Sequence, residues 1–108
     1  MPATDRLHGT LDLLVLKTLT FGPRHGYAIV GWLREQTRDR LQVEEGSLYP
    51  ALYRMERDGL IKADWGKSEL GRKAKFYRIT EAGRRQLSAD TKAFALFVDA
   101  VAPLLLPG

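Results

Sequence analysis

The stretch from Glu44 to Gly59, EEGSLYPALYRMERDG, predicts a short helix with two chemically different faces. At helical spacing, one face carries only apolar side chains, at Leu48, Ala51, Leu52 and Met55. The other face carries two phenols, two guanidinium groups and a proline, at Tyr49, Pro50, Tyr53, Arg54 and Arg57. A surface that serves only solubility rarely concentrates arginine and tyrosine without carboxylates. The first face therefore predicts a core contact, and the second an interaction surface.

Three residues predict the ends of this helix. Proline has no N–H, so Pro50 is harmless only in the first turn, where that donor is unpaired in any case. Ser47 as N-cap makes Pro50 the third helical residue and lets the serine hydroxyl accept from an early backbone N–H. Gly59 can take the left-handed conformation that closes a helix. We therefore expect a helix from Leu48 to Asp58.

Length and composition predict one soluble domain. The 108 residues suffice for a single small core, which oligomerisation would help to stabilise. The chain has no cysteine, which excludes disulfides and thiolate zinc sites and is compatible with a reducing compartment. Its N-terminus, MPATDRLHG, lacks the apolar core of a secretory signal, and no apolar run is long enough for a membrane span. We expect a cytoplasmic protein that makes no membrane contact.

The positive charge is concentrated in one quarter of the chain. Residues 62–85 contain eight basic and three acidic residues, a net charge of +5, whereas the remainder has a net charge of −1. A basic segment of this kind is typical of a surface that meets a polyanion.

Two helices are predicted before the central one. The first, from Gly9 or Thr10 to about Thr20, follows a frayed stretch at residues 1–8 and is apolar on most of its circumference. A turn at residues 22–26 then leads to a second helix, from about Tyr27 to Thr37. Three helices in this order, the third with an unusual outer face, predict a helix-turn-helix arrangement.

The period of the pattern changes after Gly59. Residues 60–65 and 74–80 alternate as strands, and residues 66–73 form a basic loop between them. Thr80 then caps a last helix that continues to Ala102, where Pro103 stops it. The predicted fold class is α+β, mainly α: a winged helix-turn-helix with a two-stranded wing over residues 1–80, followed by a long C-terminal dimerisation helix over residues 81–108.

The last helix carries an apolar stripe that no later element can cover. We expect this stripe to pack on a second copy of the chain and on the largely apolar first helix, rather than to fold back on its own domain. The predicted dimer interface comprises Leu11, Leu14, Val15, Leu87, Phe94, Phe97, Val98 and Val101.

Four motifs in order resemble the PadR-like transcriptional regulators. They are GTLDLLVLKTL, HGYAI, EEGSLYPALYRMERDGLIKADW and RKAKFYRITEAGRRQL, which together cover about residues 9–88. The single short C-terminal helix is similar to that of the compact branch of the family.

This resemblance implies a homodimeric DNA-binding protein, usually a repressor, whose third helix enters the major groove while its wing touches the neighbouring backbone or minor groove. Family positions that face DNA on the third helix match Ser47, Tyr49, Pro50, Tyr53 and Arg54. The phosphate contacts implied for the second helix and the wing are Tyr27, Lys67, Arg72, Lys73 and Lys75.

The DNA-binding chemistry has structural alternatives. Arg54 and Arg57 can make bidentate hydrogen bonds to guanine or bind phosphate. Tyr49 and Tyr53 can donate a hydrogen bond to phosphate or pack against a thymine methyl group. Alternatively, both tyrosines are half-buried packing residues, Arg57 pairs with a carboxylate, and the wing cations form a solvated face. Trp32 and Trp65 are interpreted as core or interface residues.

Other functional classes are less well supported by the residues. His8 and His25 have no carboxylate motif at ligand spacing, so neither a metal site nor an enzyme is predicted. The loop GKSELGRK has the glycine spacing of a P-loop, but it lies between strands and lacks the required Lys-Ser/Thr pair. Two further hypotheses are a protein-interaction module whose wing docks an acidic partner, and a regulator with a flat aromatic effector near Phe94 and Phe97. We favour the interpretation that these phenylalanines simply fill the dimer core.

Overall fold

Helices and short strands alternate along the chain in the computed structural model, which describes residues 3–106, with side chains from residue 10 onward. The elements of this part of the chain are α1 (Ala3–Leu19), β1 (Arg24–His25), α2 (Gly26–Gln36), α3 (Glu45–Arg57), β2 (Ile61–Lys67), β3 (Lys73–Ile79) and α4 (Glu81–Leu105). This is the predicted order of three helices, a hairpin and a long last helix, so the winged-helix prediction is confirmed.

The core lies where α1, α2, α3 and the sheet meet. The apolar face of α3 is fully buried there, as its spacing predicts: Leu48, Ala51, Leu52 and Met55 are each no more than 1% exposed. Residues of the other elements complete the core, namely Val15, Leu16, Leu19, Ile29, Leu33, Ile61, Tyr77 and Ile79. Val15 is completely buried in its own subunit. The prediction that Val15 contacts a partner is therefore wrong.

The sheet has a third strand that the sequence pattern does not reveal. The strand order is β1-β3-β2, with both pairs antiparallel, and Ile61 lies opposite Ile79 while Lys67 lies opposite Lys73. β1 has only two residues, Arg24 and His25, which pair with Tyr77 and Phe76. Two residues cannot display a period-2 alternation, so the sequence indicates only a turn at this position.

The start of α3 differs from the prediction. The N-cap is Glu44 rather than Ser47, because the N–H groups of Ser47 and Leu48 both donate to the Glu44 carbonyl at 3.0 Å. Pro50 is consequently the sixth helical residue, not the third, and its missing N–H leaves the Gly46 carbonyl without its usual helical donor.

The end of α3 follows the prediction. Gly59 has a φ of +78°, and the N–H of Leu60 donates to the Met55 carbonyl at 2.9 Å. This left-handed glycine turn closes the helix and directs the chain into β2.

The last helix begins as predicted and ends later. The Thr80 hydroxyl accepts from the Gly83 N–H at 3.0 Å and donates to the Gly59 carbonyl at 2.7 Å, which ties the start of α4 to the end of α3. The prediction that Pro103 stops the helix is wrong. α4 continues to Leu105, and Leu106 donates to Ala102 at 2.7 Å, because the proline removes one helical bond and leaves its neighbours intact.

α1 also extends beyond its predicted start. It begins at Ala3, so the prediction of a frayed stretch at residues 1–8 is wrong for residues 3–8, and residues 1 and 2 lie outside the described part of the chain.

None of the described helices is long and apolar enough to cross a membrane.

Gly83 packs closely against the chain segments at Leu60 and Ile79. A Cβ at this position would collide with the Leu60 carbonyl oxygen and would lie 2.8 Å from the Ile79 side chain. We expect Gly83→Ala to lower the free energy of unfolding by about 3 kcal/mol. The backbone segments at Gly83 and at Leu60 cannot move apart to make room for the methyl group without breaking the hydrogen bonds of the Thr80 hydroxyl. Urea denaturation measures this, with Gly31→Ala as the control. An unchanged midpoint for Gly83→Ala would contradict the packing described for α4.

Candidate nucleic-acid interface

The face of α3 that points away from the core is exposed along its length. Pro50, Tyr53 and Arg57 lie on it, and Tyr53 is 71% exposed. Arg57 donates from Nε to Asp58 Oδ1 at 3.1 Å, and this hydrogen bond raises the pKa of the guanidinium group. The predicted alternative for Arg57, a carboxylate pair, is therefore present. Since both side chains lie at the surface, the pair is weak and can exchange for a phosphate.

Arg54 lies on the flank of α3 that faces α1. Its Nη2 donates to Asp12 Oδ1 at 2.6 Å, and the two side chains are 33% and 20% exposed. This short charge-assisted bond connects residues 42 positions apart and joins the first helix to the third. The structure thus gives Arg54 a definite role within the subunit.

Tyr49 lies on the opposite flank of α3, against the start of α2. A Cβ at Gly26 would lie 2.8 Å from the Tyr49 hydroxyl oxygen, so the tyrosine ring packs closely on the backbone of this glycine and would have to shift if a larger residue replaced it. α2 itself is capped by His25, whose Nδ1 accepts from the Ala28 N–H at 3.1 Å. Tyr49 remains 45% exposed, so its ring packs on α2 and also faces solvent.

An open groove of about 670 Å³ lies between this flank of α3, the start of α2 and the wing. It brings together residues that are far apart in sequence, and its lining includes Tyr27, Tyr49, Arg72, Lys73 and Lys75. Those five residues are all among the predicted DNA contacts. Aromatic rings and cations side by side can hold a sugar–phosphate strand by charge and contact.

The cations of the wing differ in how they are held. Lys75 donates from Nζ to Glu56 Oε1 at 3.2 Å, and this bond raises the pKa of its ammonium group, so Lys75 remains charged at neutral pH. Lys73 lies over the Trp65 ring, with Nζ at 4.9 Å from the ring centroid. Lys67 and Arg72 are exposed, and Arg72 also lines the groove. The wing therefore presents both anchored and free positive charges.

Trp65 is a site residue that the sequence pattern did not identify. It lines the groove and is 65% exposed, so of the two interpretations of Trp65, core or interface, the core interpretation is wrong. Alternation along β2 places it on the same face as Ile61 and Ala63, but the hairpin extends past the core before position 65. Trp32, in contrast, packs against the core as expected.

The predicted DNA contacts form two groups in the structure. Tyr27, Tyr49, Arg72, Lys73 and Lys75 meet in the groove, whereas Ser47, Pro50, Tyr53 and Arg57 lie outside it on α3. Arg54 stands apart beside α1, and Lys67 is near the base of the hairpin loop. Among the described residues, no group of three or more His, Asp or Glu side chains is arranged to hold a metal ion.

Comparison with known proteins agrees with this arrangement. The model of the transcriptional regulator PadR-like family matches residues 15–89, well over half of the chain. The chain belongs to the PadR-like family of transcriptional regulators. An uncharacterised protein from Lysinibacillus sphaericus is 34% identical over 88% of this chain and 87% of its own. A transcriptional regulator of Mycobacterium tuberculosis is 41% identical over 57% of this chain and 58% of its own.

Solved structures of PadR-like regulators share the whole fold. A PadR-like transcriptional regulator from Bacillus cereus superposes with a TM-score of 0.76 at 31% identity, covering 96% of this chain and 99% of that one. A transcriptional regulator from Clostridium thermocellum gives a TM-score of 0.81 at 28% identity, covering 91% and 95%. The coverage includes the long last helix, so α4 is part of the shared PadR-like architecture.

The Asp12–Arg54 pair makes a testable contribution to stability. We expect a double-mutant cycle of Asp12→Ala and Arg54→Ala to give a coupling energy of about 1 kcal/mol in urea denaturation, because the pair is short and largely screened from water. The Asp64–Arg78 pair, at 3.4 Å and well exposed, is the control and should show no measurable coupling. Additive effects of the Asp12 and Arg54 substitutions would show that the pair does not stabilise this PadR-like fold.

Proposed function

We propose that this PadR-like regulator is a homodimeric cytoplasmic repressor that binds an inverted-repeat operator. The observation that carries the proposal is the junction between the exposed tyrosine-and-arginine face of α3 and the cationic, aromatic groove beneath the wing. One DNA duplex can touch both surfaces at once, because they adjoin along the flank of α3 that carries Tyr49.

In this proposal α3 enters the major groove. Tyr53, 71% exposed, and Arg57 reach base edges or the adjoining phosphates, and Ser47 and Pro50 contact the rim of the groove. Tyr27, Tyr49 and the wing cations Lys67, Arg72, Lys73 and Lys75 hold the neighbouring phosphate backbone. Phosphate contacts supply affinity, and the outward face of α3 supplies selectivity.

Arg54 has a different proposed role from the one that the sequence suggests. Its guanidinium group already donates to Asp12 at 2.6 Å and lies to the side of the outward face. We therefore propose that Arg54 holds α3 at a fixed angle to α1, and that Arg57 is the arginine of this helix that meets DNA directly. A phosphate beside α1 can still share the free N–H groups of Arg54, since a guanidinium has five donors.

The dimer is proposed from the exposed apolar surface of α4. All side chains from residue 91 to residue 100 are exposed in the single subunit, and Phe94 and Phe97 are 44% and 41% exposed. An apolar stripe of this length is typical of an interface between copies of a chain. The proposed interface comprises Leu11, Leu14, Leu87, Phe94, Phe97, Val98 and Val101. Two copies then present their α3 helices to half-sites about one helical turn, or roughly 34 Å, apart.

An acidic protein partner is the alternative occupant of the wing. The same cations would attract it, but a carboxylate surface does not require the exposed outward face of α3. Selection of bound duplexes from a random pool separates the two hypotheses. Recovery of a half-site supports the regulator, whereas recovery of no sequence above background contradicts it. The effector hypothesis is tested with the same selected duplex. Release of the duplex by a flat aromatic compound would show an effector. If Phe94 and Phe97 only fill the dimer core, no release is expected.

The wing prediction concerns salt dependence. We expect Arg72→Gln to weaken binding to the selected duplex and to a scrambled duplex by a similar factor. The slope of log affinity against log salt should become shallower by about one unit for each wing that engages a phosphate. Fluorescence anisotropy at several salt concentrations measures both quantities. Lys92→Gln, which removes an exposed cation on α4, is the control and should leave the slope unchanged. Equal slopes for Arg72→Gln and wild type would show that the wing does not contact the phosphates.

The dimer prediction concerns α4. We expect Phe94→Glu to convert the protein to a monomer in sedimentation experiments, because the carboxylate would have to be desolvated in the interface. Leu96→Glu is the matched control, since Leu96 is 71% exposed and lies on the opposite side of the helix. A wild-type protein that sediments as a single subunit at the concentrations used for DNA binding would overturn the dimer.

A further inference from the structure

Gly46 occupies an unusual position in the first turn of α3. It lies outward, on the side of the helix that carries Pro50, Tyr53 and Arg57. Among the described residues, the glycines with positive φ are Gly22, Gly59 and Gly71, so the backbone of Gly46 is open to any residue. Apart from its two chain neighbours and the adjacent backbone of α3, a Cβ built on Gly46 would meet no described heavy atom within 4 Å. A side-chain clash within the subunit therefore does not account for this glycine.

Glycine in a helix is less favourable than alanine, because it loses more backbone freedom on folding. One explanation lies within the subunit. The ring of a helical proline crowds the carbonyl four residues earlier, and for Pro50 that carbonyl belongs to Gly46. This explanation requires the glycine backbone to yield locally, so it predicts that alanine at position 46 lowers stability. The other explanation is that the empty space is needed by a molecule that approaches from outside.

We propose that Gly46 lets a DNA duplex come against the backbone of α3, so that the helix settles deeply enough in the major groove for Tyr53 and Arg57 to reach base edges. This inference rests on the proposed function. Gly46 and Pro50 lie one turn apart, and their small side chains leave the helix backbone accessible in this part of the face. The side chains of Tyr53 and Arg57, later on the same face, are longer. Gly46 is thus a specificity-determining position that acts through the absence of a side chain.

The physical reason is the short reach of base recognition. A hydrogen bond to a base edge requires donor and acceptor within about 3.2 Å and weakens steeply with misalignment. A methyl group at the point of closest approach would hold the helix away from the bases. Contacts from long, flexible lysine and arginine side chains to phosphates adjust more easily to such a shift. Added volume at position 46 should therefore reduce binding to the operator far more than binding to unrelated DNA.

The chain provides a matched control at Gly31. This glycine is also helical, exposed and without positive φ, and a Cβ there would likewise meet no described heavy atom within 4 Å beyond its chain neighbours and the adjacent helix backbone. It lies in α2, one turn after Tyr27 and next to the exposed Arg34 and Glu35, and it is not part of the groove lining or of α3. Substitutions at positions 31 and 46 thus make the same chemical change at two exposed sites. Only position 46 lies on the outward face of α3, which is proposed to contact the bases.

The experiment compares Gly46→Ala and Gly46→Leu with Gly31→Ala and Gly31→Leu in the full chain. We expect both alanine variants to raise the Tm by about 2–4 °C and to remain dimeric in sedimentation. Affinity for the duplex that wild type selects should fall about tenfold for Gly46→Ala and further for Gly46→Leu. Affinity for a scrambled duplex should change less than about twofold, and both Gly31 variants should bind as wild type does.

The contrary outcomes are distinguishable. If Gly46→Ala lowers the Tm, the glycine serves Pro50 and the fold, and the inference is overturned. If it dissociates the dimer, the approaching surface is the partner subunit, which also overturns it. If wild type selects a duplex and Gly46→Ala binds it equally well, the inference fails and the proposed function stands. If wild type selects no duplex, both fail together.

Discussion

The burial of one face of α3 is the constraint on which the rest of the structure depends. Leu48, Ala51, Leu52 and Met55 lie in the core with residues of α1, α2 and the sheet. Burial of a leucine or methionine side chain contributes on the order of 1.5–3 kcal/mol, and burial of the alanine methyl group contributes less. This burial fixes the rotation of the helix. Once the apolar face is inside, Pro50, Tyr53 and Arg57 can only point outward, so packing and the proposed recognition surface have the same cause.

The two flanks of α3 hold the helix in different ways. On one flank, the bond between Arg54 and Asp12 ties it to α1, the helix against which α4 also packs. On the other, Tyr49 fits against Gly26, and Glu56 accepts from Lys75 of the wing. A shift of the wing therefore reaches α3 through a direct contact, and a shift of α4 reaches it through α1. The proposed dimer surface on α4 and the proposed DNA-binding face of α3 are thus connected through a small number of identifiable side chains.

The groove beneath the wing shows why long-range placement needs the tertiary structure. Tyr27 follows a two-residue strand, Tyr49 lies in the helix, and Trp65 and Lys73 come from opposite strands of the hairpin. Their meeting depends on β1 pairing with β3, and a strand of two residues leaves no periodic signal. Trp65 illustrates the same limit, because alternation tells which face a strand residue occupies but not whether the core extends that far.

The sequence by itself determined the order of the four helices and the hairpin, the core face of α3, the Thr80 cap and the left-handed turn at Gly59, because each depends on residues within a few positions of one another. It also indicated the PadR-like family through four local motifs. Only the tertiary structure decided that α3 begins at Glu45, that α4 continues past Pro103, that Val15 is internal and that Arg54 pairs with Asp12. A single proline or serine has a local preference worth only a few kcal/mol, and the summed packing of a whole helix can override it. A contact across 42 residues has no local pattern from which it could be inferred.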